Sequence, residues 1–131
     1  MKVLALDYGS ARTGVAVSDP TGTLARPLEV VEHASTTAGL KRLAELVQRE
    51  GVQRIVVGLP VTLRGERGAQ AEETEAFVSA LGAVTAVPIE SFDERFTTKL
   101  AEAQPSEAPS DAVAAAHLLS TYLEWKSALP S

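Results

Sequence analysis

Apolar residues run without interruption at two places in the chain, Val3-Leu4-Ala5-Leu6 within Lys2 to Tyr8, and Ile55-Val56-Val57 within Arg54 to Pro60. Runs with no polar position to turn toward water are expected of strands covered on both faces, so these two predict the centre of a sheet. Thr13 to Ser18 and Arg26 to Val31 predict two more strands, joined through the turn signal Asp19-Pro20-Thr21-Gly22. The first three strands therefore form an antiparallel meander. Leu40, Leu43, Ala44 and Val47 recur at helical spacing over Thr37 to Glu50, with Gly51 as the stop. Ala71, Thr74, Phe77, Val78 and Leu81 repeat that pattern before Gly82, which is expected to close the second helix. A short strand, Val87 to Phe92, follows. The last element, Ser110 to about Lys126, is rich in alanine and carries Val113, Ala116, Leu119, Tyr122 and Leu123 on one stripe.

The order β-β-β-α-β-α-β-α predicts an α/β domain with a five-stranded mixed sheet and helices on both faces. Proline cannot donate to a ladder, so Pro27 in the third strand and Pro88 in the fifth mark those strands as edges. The strand order 3-2-1-4-5 satisfies both prolines and leaves the two apolar runs central. It also puts the reversal of winding at the first strand, where sites in open α/β sheets tend to lie.

Composition narrows the chemistry. The chain has 131 residues, 45% of them hydrophobic and 22% charged, which suits one folded domain over residues 1–131. It has no cysteine and two histidines, excluding disulfides, thiolate metal sites and thiol nucleophiles, so any metal must be held by oxygen. Asp7 comes too early for a signal-peptide apolar region, and no stretch approaches the roughly 18 apolar residues of a membrane helix, so a cytoplasmic location is expected. A net charge of −5 offers no global attraction for nucleic acid, so such a partner needs a locally basic face.

Asp7 stands out as an acid at the carboxyl end of a strand otherwise apolar, where burial costs several kcal/mol unless the carboxylate is paired or holds a metal. Asp93-Glu94 follows the fifth strand, and Asp111 opens the last helix, where an acid also suits the helix dipole. In this topology the three places are expected to meet near one crevice. Carboxylates gathered there repel one another unless cations neutralise them, and Mg²⁺ or Mn²⁺ suits such oxygen ligands. Two ions about 3.5–4 Å apart support in-line displacement at phosphorus, so the expected reaction is phosphodiester hydrolysis. Arg12 in the first hairpin, Arg64 and Arg67 in the glycine-containing loop after the fourth strand, and Arg95 with Lys99 are candidates for gripping phosphate.

Asp7-Tyr8-Gly9-Ser10-Ala11-Arg12-Thr13-Gly14-Val15-Ala16-Val17-Ser18-Asp19, Val57-Gly58-Leu59-Pro60, Gly65 with Gly68-Ala69-Gln70-Ala71, Asp93-Glu94-Arg95-Phe96-Thr97-Thr98 and Asp111-Ala112-Val113-Ala114-Ala115-Ala116 together resemble the YqgF (RuvX) family. The resemblance spans nearly the whole chain in order. It implies a ribonuclease H-like fold, kinship with the RuvC Holliday-junction resolvases, and either junction resolution or processing of the 5′ end of pre-16S ribosomal RNA. It also implies Asp7, Glu94 and Asp111 as catalytic metal ligands, with Asp93 as the alternative to Glu94. The segment Lys99 to Ser110 is shorter than the family usually shows and lacks its basic stretch.

Several other readings fall away. Gly9 to Gly14 has Walker-loop glycine spacing, but Val15-Ala16 stands where Lys and Ser or Thr belong. His33 and His117 have no nucleophile arrangement around them and read as structural. A two-lobed phosphotransferase needs a second lobe this length cannot supply. A noncatalytic nucleic-acid-binding assembly factor is the remaining alternative, and monomer and homodimer both stay open.

Overall fold

The apolar runs become the middle of a five-stranded sheet in a computed structural model that describes residues 1–59, 68–93 and 110–128. Along the chain come β1 (Val3–Asp7), β2 (Arg12–Ser18), β3 (Ala25–Glu32), α1 (Thr37–Glu50), β4 (Arg54–Leu59), α2 (Ala69–Gly82), β5 (Ile89–Asp93) and α3 (Ser110–Ala128). The strand order is β3-β2-β1-β4-β5. β1, β2 and β3 pair antiparallel, while β4 runs parallel to β1 and β5 parallel to β4. Sheet order and strand directions are those expected from the sequence.

Alternation along the strands sends successive side chains to opposite faces and so builds two cores. Leu4, Leu6, Val15, Val17, Ile55 and Val57 pack with Leu43, Leu46 and Val47 of α1 and Phe77 and Leu81 of α2. Val3, Ala5, Ala16, Val56 and Phe92 pack on the other face with Ala115, Leu118, Leu119 and Tyr122 of α3. Each fully buried large side chain contributes about 1.5–3 kcal/mol, so α3 is held by its own apolar face rather than by its ends. The buried residues of α3 are Ala112, Val113, Ala115, Leu118, Leu119 and Tyr122, with Ala116 and Leu123 at the margin. The stripe contains the expected Val113, Leu119 and Tyr122 and widens to take in Ala112, Ala115 and Leu118, because an alanine-rich helix offers several nearly equivalent apolar faces.

Two expectations need correction. Gly82 does not stop α2 in a left-handed conformation; it lies within the helix, and Ala83 caps it with right-handed φ −80 and its N–H directed to Ala80 and Leu81 carbonyls. Pro88 precedes β5 rather than lying in it, and its carbonyl accepts from Ile55 N at 2.9 Å. β5 instead begins at Ile89 and reaches Asp93. His33 lies just past β3 with φ 48 and turns the chain toward α1.

On the β3 edge, Val15 opposes Glu29 while Ala16 opposes Pro27, a bulge at Leu28 that accommodates the proline. α1 starts on a Thr36 hydroxyl that accepts from Gly39 N and ends at Gly51 with φ 65. Glu29 and Arg42 form a two-pronged pair at 2.6 and 2.7 Å that ties β3 to α1. No helix of the described residues is long and apolar enough to cross a membrane.

Candidate active site

The sheet's carboxyl end brings Asp7 and Asp111 together through one residue, Gly14. Asp7 ends β1 and pairs in register with Gly14 of β2, so the two share a face of the sheet. That face belongs to α3, because Val3 and Ala5, at the same alternation as Asp7, pack against it. From above, the start of α3 presses on the same glycine. A Cβ placed on Gly14 would lie 1.8 Å from the Asp111 carbonyl oxygen and 2.9 Å from Ala112 N. Any side chain there would push α3 away from β2. The missing Cβ therefore lets a strand-end acid and a helix-start acid flank a single backbone position, although they lie far apart in sequence.

Arg12 completes this corner. It opens β2 two residues before Gly14, on the same face, and its Nε lies 3.4 Å from Asp111 Oδ2. Both groups meet solvent, with 65% of the Arg12 side chain and 37% of the Asp111 side chain exposed. Asp7 is half-buried.

The hairpin carrying Asp7 and Arg12 is held from its other side. Tyr8 points to the α1 and α2 face, where its ring stacks on Phe77 with centroids 4.4 Å apart and planes 19° from parallel. Its hydroxyl donates to Glu73 Oε1 at 3.1 Å. Burial, and also the neighbouring Glu73 carboxylate, push the Tyr8 phenol above its ordinary value against an opposing hydrogen bond with Ser35. Thr13 is fully buried; its hydroxyl meets both Gly9 N and Gly9 O at 3.4 Å, and His33 N donates to Ala11 O at 2.9 Å. These contacts fix the chain on either side of the exposed corner.

Of the residues expected to act, Asp7, Arg12 and Asp111 are brought together. Asp93 forms the end of β5, paired in register with Leu59. Glu94, Arg64, Arg67, Arg95 and Lys99 lie outside the described residues, as does the segment from Glu102 to Pro109. Among the described residues no three His, Cys, Asp or Glu side chains cluster closely enough to hold a cation. Asp7 and Asp111 nevertheless supply two hard oxygen donors, and Mg²⁺ is commonly held by one or two carboxylates with water and substrate phosphate completing its shell. The donor chemistry thus fits such an ion. Reading by motif and spacing missed Gly14 as a packing point and Glu73 as the partner of Tyr8. Gly14 was visible only as loop-like glycine spacing, and Glu73 had no local signal.

Residues 1–125 match the family model described as "RuvX: Holliday junction resolvase". A protein of Rubrobacter xylanophilus, provisionally named a pre-16S rRNA nuclease, is 47% identical over 94% of this chain and 92% of its own. One of Chloroflexus aurantiacus with the same provisional name is 40% identical over 98% and 90%. Among solved structures, Thermus thermophilus RuvC in complex with a Holliday junction substrate superposes with a TM-score of 0.64 at 20% identity, covering 98% of this chain and 96% of that one. The fowlpox virus resolvase bound to junction DNA gives 0.55 at 12%, covering 96% and 99%. The fold is that of RuvC, ribonuclease H-like, and with a family match running from the first residue into the last helix the chain belongs to the RuvX family.

Proposed function

We propose that this protein is a divalent-metal-dependent nuclease that hydrolyses phosphodiester bonds in nucleic acid in the cytoplasm, and that its task is processing the 5′ end of pre-16S rRNA. The observation that carries the reading is the meeting of Asp7 and Asp111 over Gly14 at the carboxyl end of the sheet. Two acids that approach there only because a glycine lacks its Cβ are poorly explained as surface solvation. The names of the relatives favour RNA as substrate.

In this reading Asp7 and Asp111 are catalytic residues and ligands for Mg²⁺ or Mn²⁺, with Glu94 as third ligand. Glu94 is favoured over the adjacent Asp93 because its longer stem reaches further from the strand end. A pair of bound cations would supply Lewis-acid activation of the phosphodiester and of the attacking water. The chain's own part is positional. β1 and α3 hold the acids apart at a fixed separation, the Tyr8 stack keeps the hairpin from swinging, and Arg12, with Arg64, Arg67, Arg95 and Lys99, binds the substrate backbone.

The second reading is four-way DNA junction cleavage, which the description of the family itself favours. Both are tested by offering end-labelled RNA with an extended 16S 5′ end, single-stranded DNA and a four-way junction to wild type and Asp7→Asn, with Mn²⁺, Mg²⁺ or EDTA. The expected result is RNA cut fastest, with no cutting in EDTA or by the variant. Faster junction cutting would install the second reading. Binding without cutting of any substrate would overturn the nuclease and leave an assembly factor.

A further inference from the structure

Arg12 stands out because it has two claims on it. Its guanidinium belongs with the basic residues that grip phosphate, yet in the structure it stands 3.4 Å from the helix-start acid, Asp111. Asp7 and Asp111 sit together with only this cation placed against either by an ion pair among the described residues. The pair is made through Nε, and both partners are well exposed. An exposed pair of this kind is weakly held and exchanges readily.

We propose that Arg12 is the resting counterion of Asp111 and a positioning residue that couples cation binding to substrate binding. When a divalent cation takes the Asp111 carboxylate, the guanidinium is released and its planar fork turns to a substrate phosphate. When the cation leaves, Arg12 returns and keeps the two acids from repelling one another. By linkage the coupling is reciprocal, so substrate tightens cation binding by the factor by which the cation tightens substrate binding. The proposal rests on the metal reading above but concerns binding alone, and is tested without turnover.

The experiment measures Mn²⁺ binding to the RNA-free protein by titration calorimetry. It then measures affinity for a fluorescent RNA hairpin in EDTA and in Ca²⁺, used so that binding is read without cutting. Wild type, Arg12→Gln and Arg26→Gln are compared. Arg26 pairs with Glu50 at the opposite end of the sheet, so its replacement removes the same charge away from the site. Arg12→Gln is expected to bind Mn²⁺ about two- to fivefold tighter than wild type, the range an exposed ion pair provides. The same variant should lose at least half of the Ca²⁺-driven gain in RNA affinity, while Arg26→Gln matches wild type in both. Opposite signs in the two affinities are what a merely structural role for Arg12 would not produce.

Unchanged or weaker Mn²⁺ binding by Arg12→Gln, or an undiminished Ca²⁺ gain, would overturn the coupling while leaving the nuclease standing. Matching changes in Arg26→Gln would overturn it too, by assigning the effect to net charge. Wild type that binds no Mn²⁺ would overturn both the coupling and the metal reading.

Discussion

α3 covers two arginine–carboxylate pairs, one at each end of the sheet, and they are built differently. Near its C-terminal half, Arg54 meets Glu90 at 2.7 Å, Tyr122 of the helix donates to the same Glu90 oxygen at 3.2 Å, and the side chains are only 27% and 28% exposed. That cluster is short, shielded and tied to the helix core, and it even leaves Arg54 Nε buried with no partner among the described residues. At the N-terminal end, Arg12 and Asp111 are longer and open to water. The difference separates a pair that pins a helix to a sheet from one whose carboxylate is available to something else. Burial of an ion pair raises the cost of breaking it, and exposure makes exchange easy. The candidate site lies where the fold leaves its charges loosely matched.

The comparison is broken most directly at the open end. Asp7→Asn and Asp111→Asn are each expected to lower cleavage by more than about 100-fold, since loss of groups that only support a ligand already costs 10–100-fold. Neither should lower the metal-free melting temperature appreciably, because the ion pair given up among the described residues, Asp111 with Arg12, is exposed and contributes little. Thermal melts in EDTA alongside cleavage assays check both halves.

Gly14→Ala is the next largest. The new methyl group meets backbone of α3, which has no rotamer to yield, so helix and strand must part. We expect a loss of about 1–3 kcal/mol in urea unfolding. Displacing Asp111 from Asp7 by even about 1 Å should reduce cleavage about 100-fold. Wild-type turnover in this variant would separate Asp111 from the chemistry.

At the closed end, Glu90→Ala leaves the half-buried Arg54 without its carboxylate and Tyr122 without its acceptor. A cost of about 1–2 kcal/mol is expected in urea unfolding, against less than about 0.5 kcal/mol for Arg12→Gln. Equal costs would erase the distinction between the two pairs.

Smallest is the response to acid, which lies away from both pairs. In the β2–β3 turn, Leu24 N–H, the Thr21 hydroxyl and Thr23 N–H hold the Asp19 carboxyl far below the usual carboxylate range, and the hydrogen bond from Arg42 lowers Glu29. These groups bind protons more weakly folded than unfolded. Their stabilisation is complete above about pH 4–5, the ordinary carboxylate range, and declines as pH falls below it. Urea midpoints measured from neutral pH downward should fall in that window, and Asp19→Asn should flatten the decline.

The sheet was legible because its signals are local. Two apolar runs, a meander with a marked turn, and Pro27 on an edge are enough to order five strands. Pro88 led to the right edge although it lies outside the strand, since a proline before the first ladder residue constrains the same place. Asp7 and Asp111 were legible as strand-end and helix-start acids. What brings them together was not, because the contact between Gly14 and the Asp111 carbonyl joins residues distant in sequence and leaves no periodic trace. Arg12 read as a phosphate ligand for a similar reason: charge type is written in the sequence, while its resting partner is set by how α3 lies across β2.

The most direct test of the central claim locates the cation itself. Fe²⁺ substituted into the protein with ascorbate and peroxide generates hydroxyl radicals at the bound metal, which cut the nearby backbone. Cuts beside Asp7, Gly14 and Asp111 that disappear in Asp7→Asn are the result expected of a metal held between the two acids. Cuts elsewhere, or a pattern Asp7→Asn does not change, would contradict it.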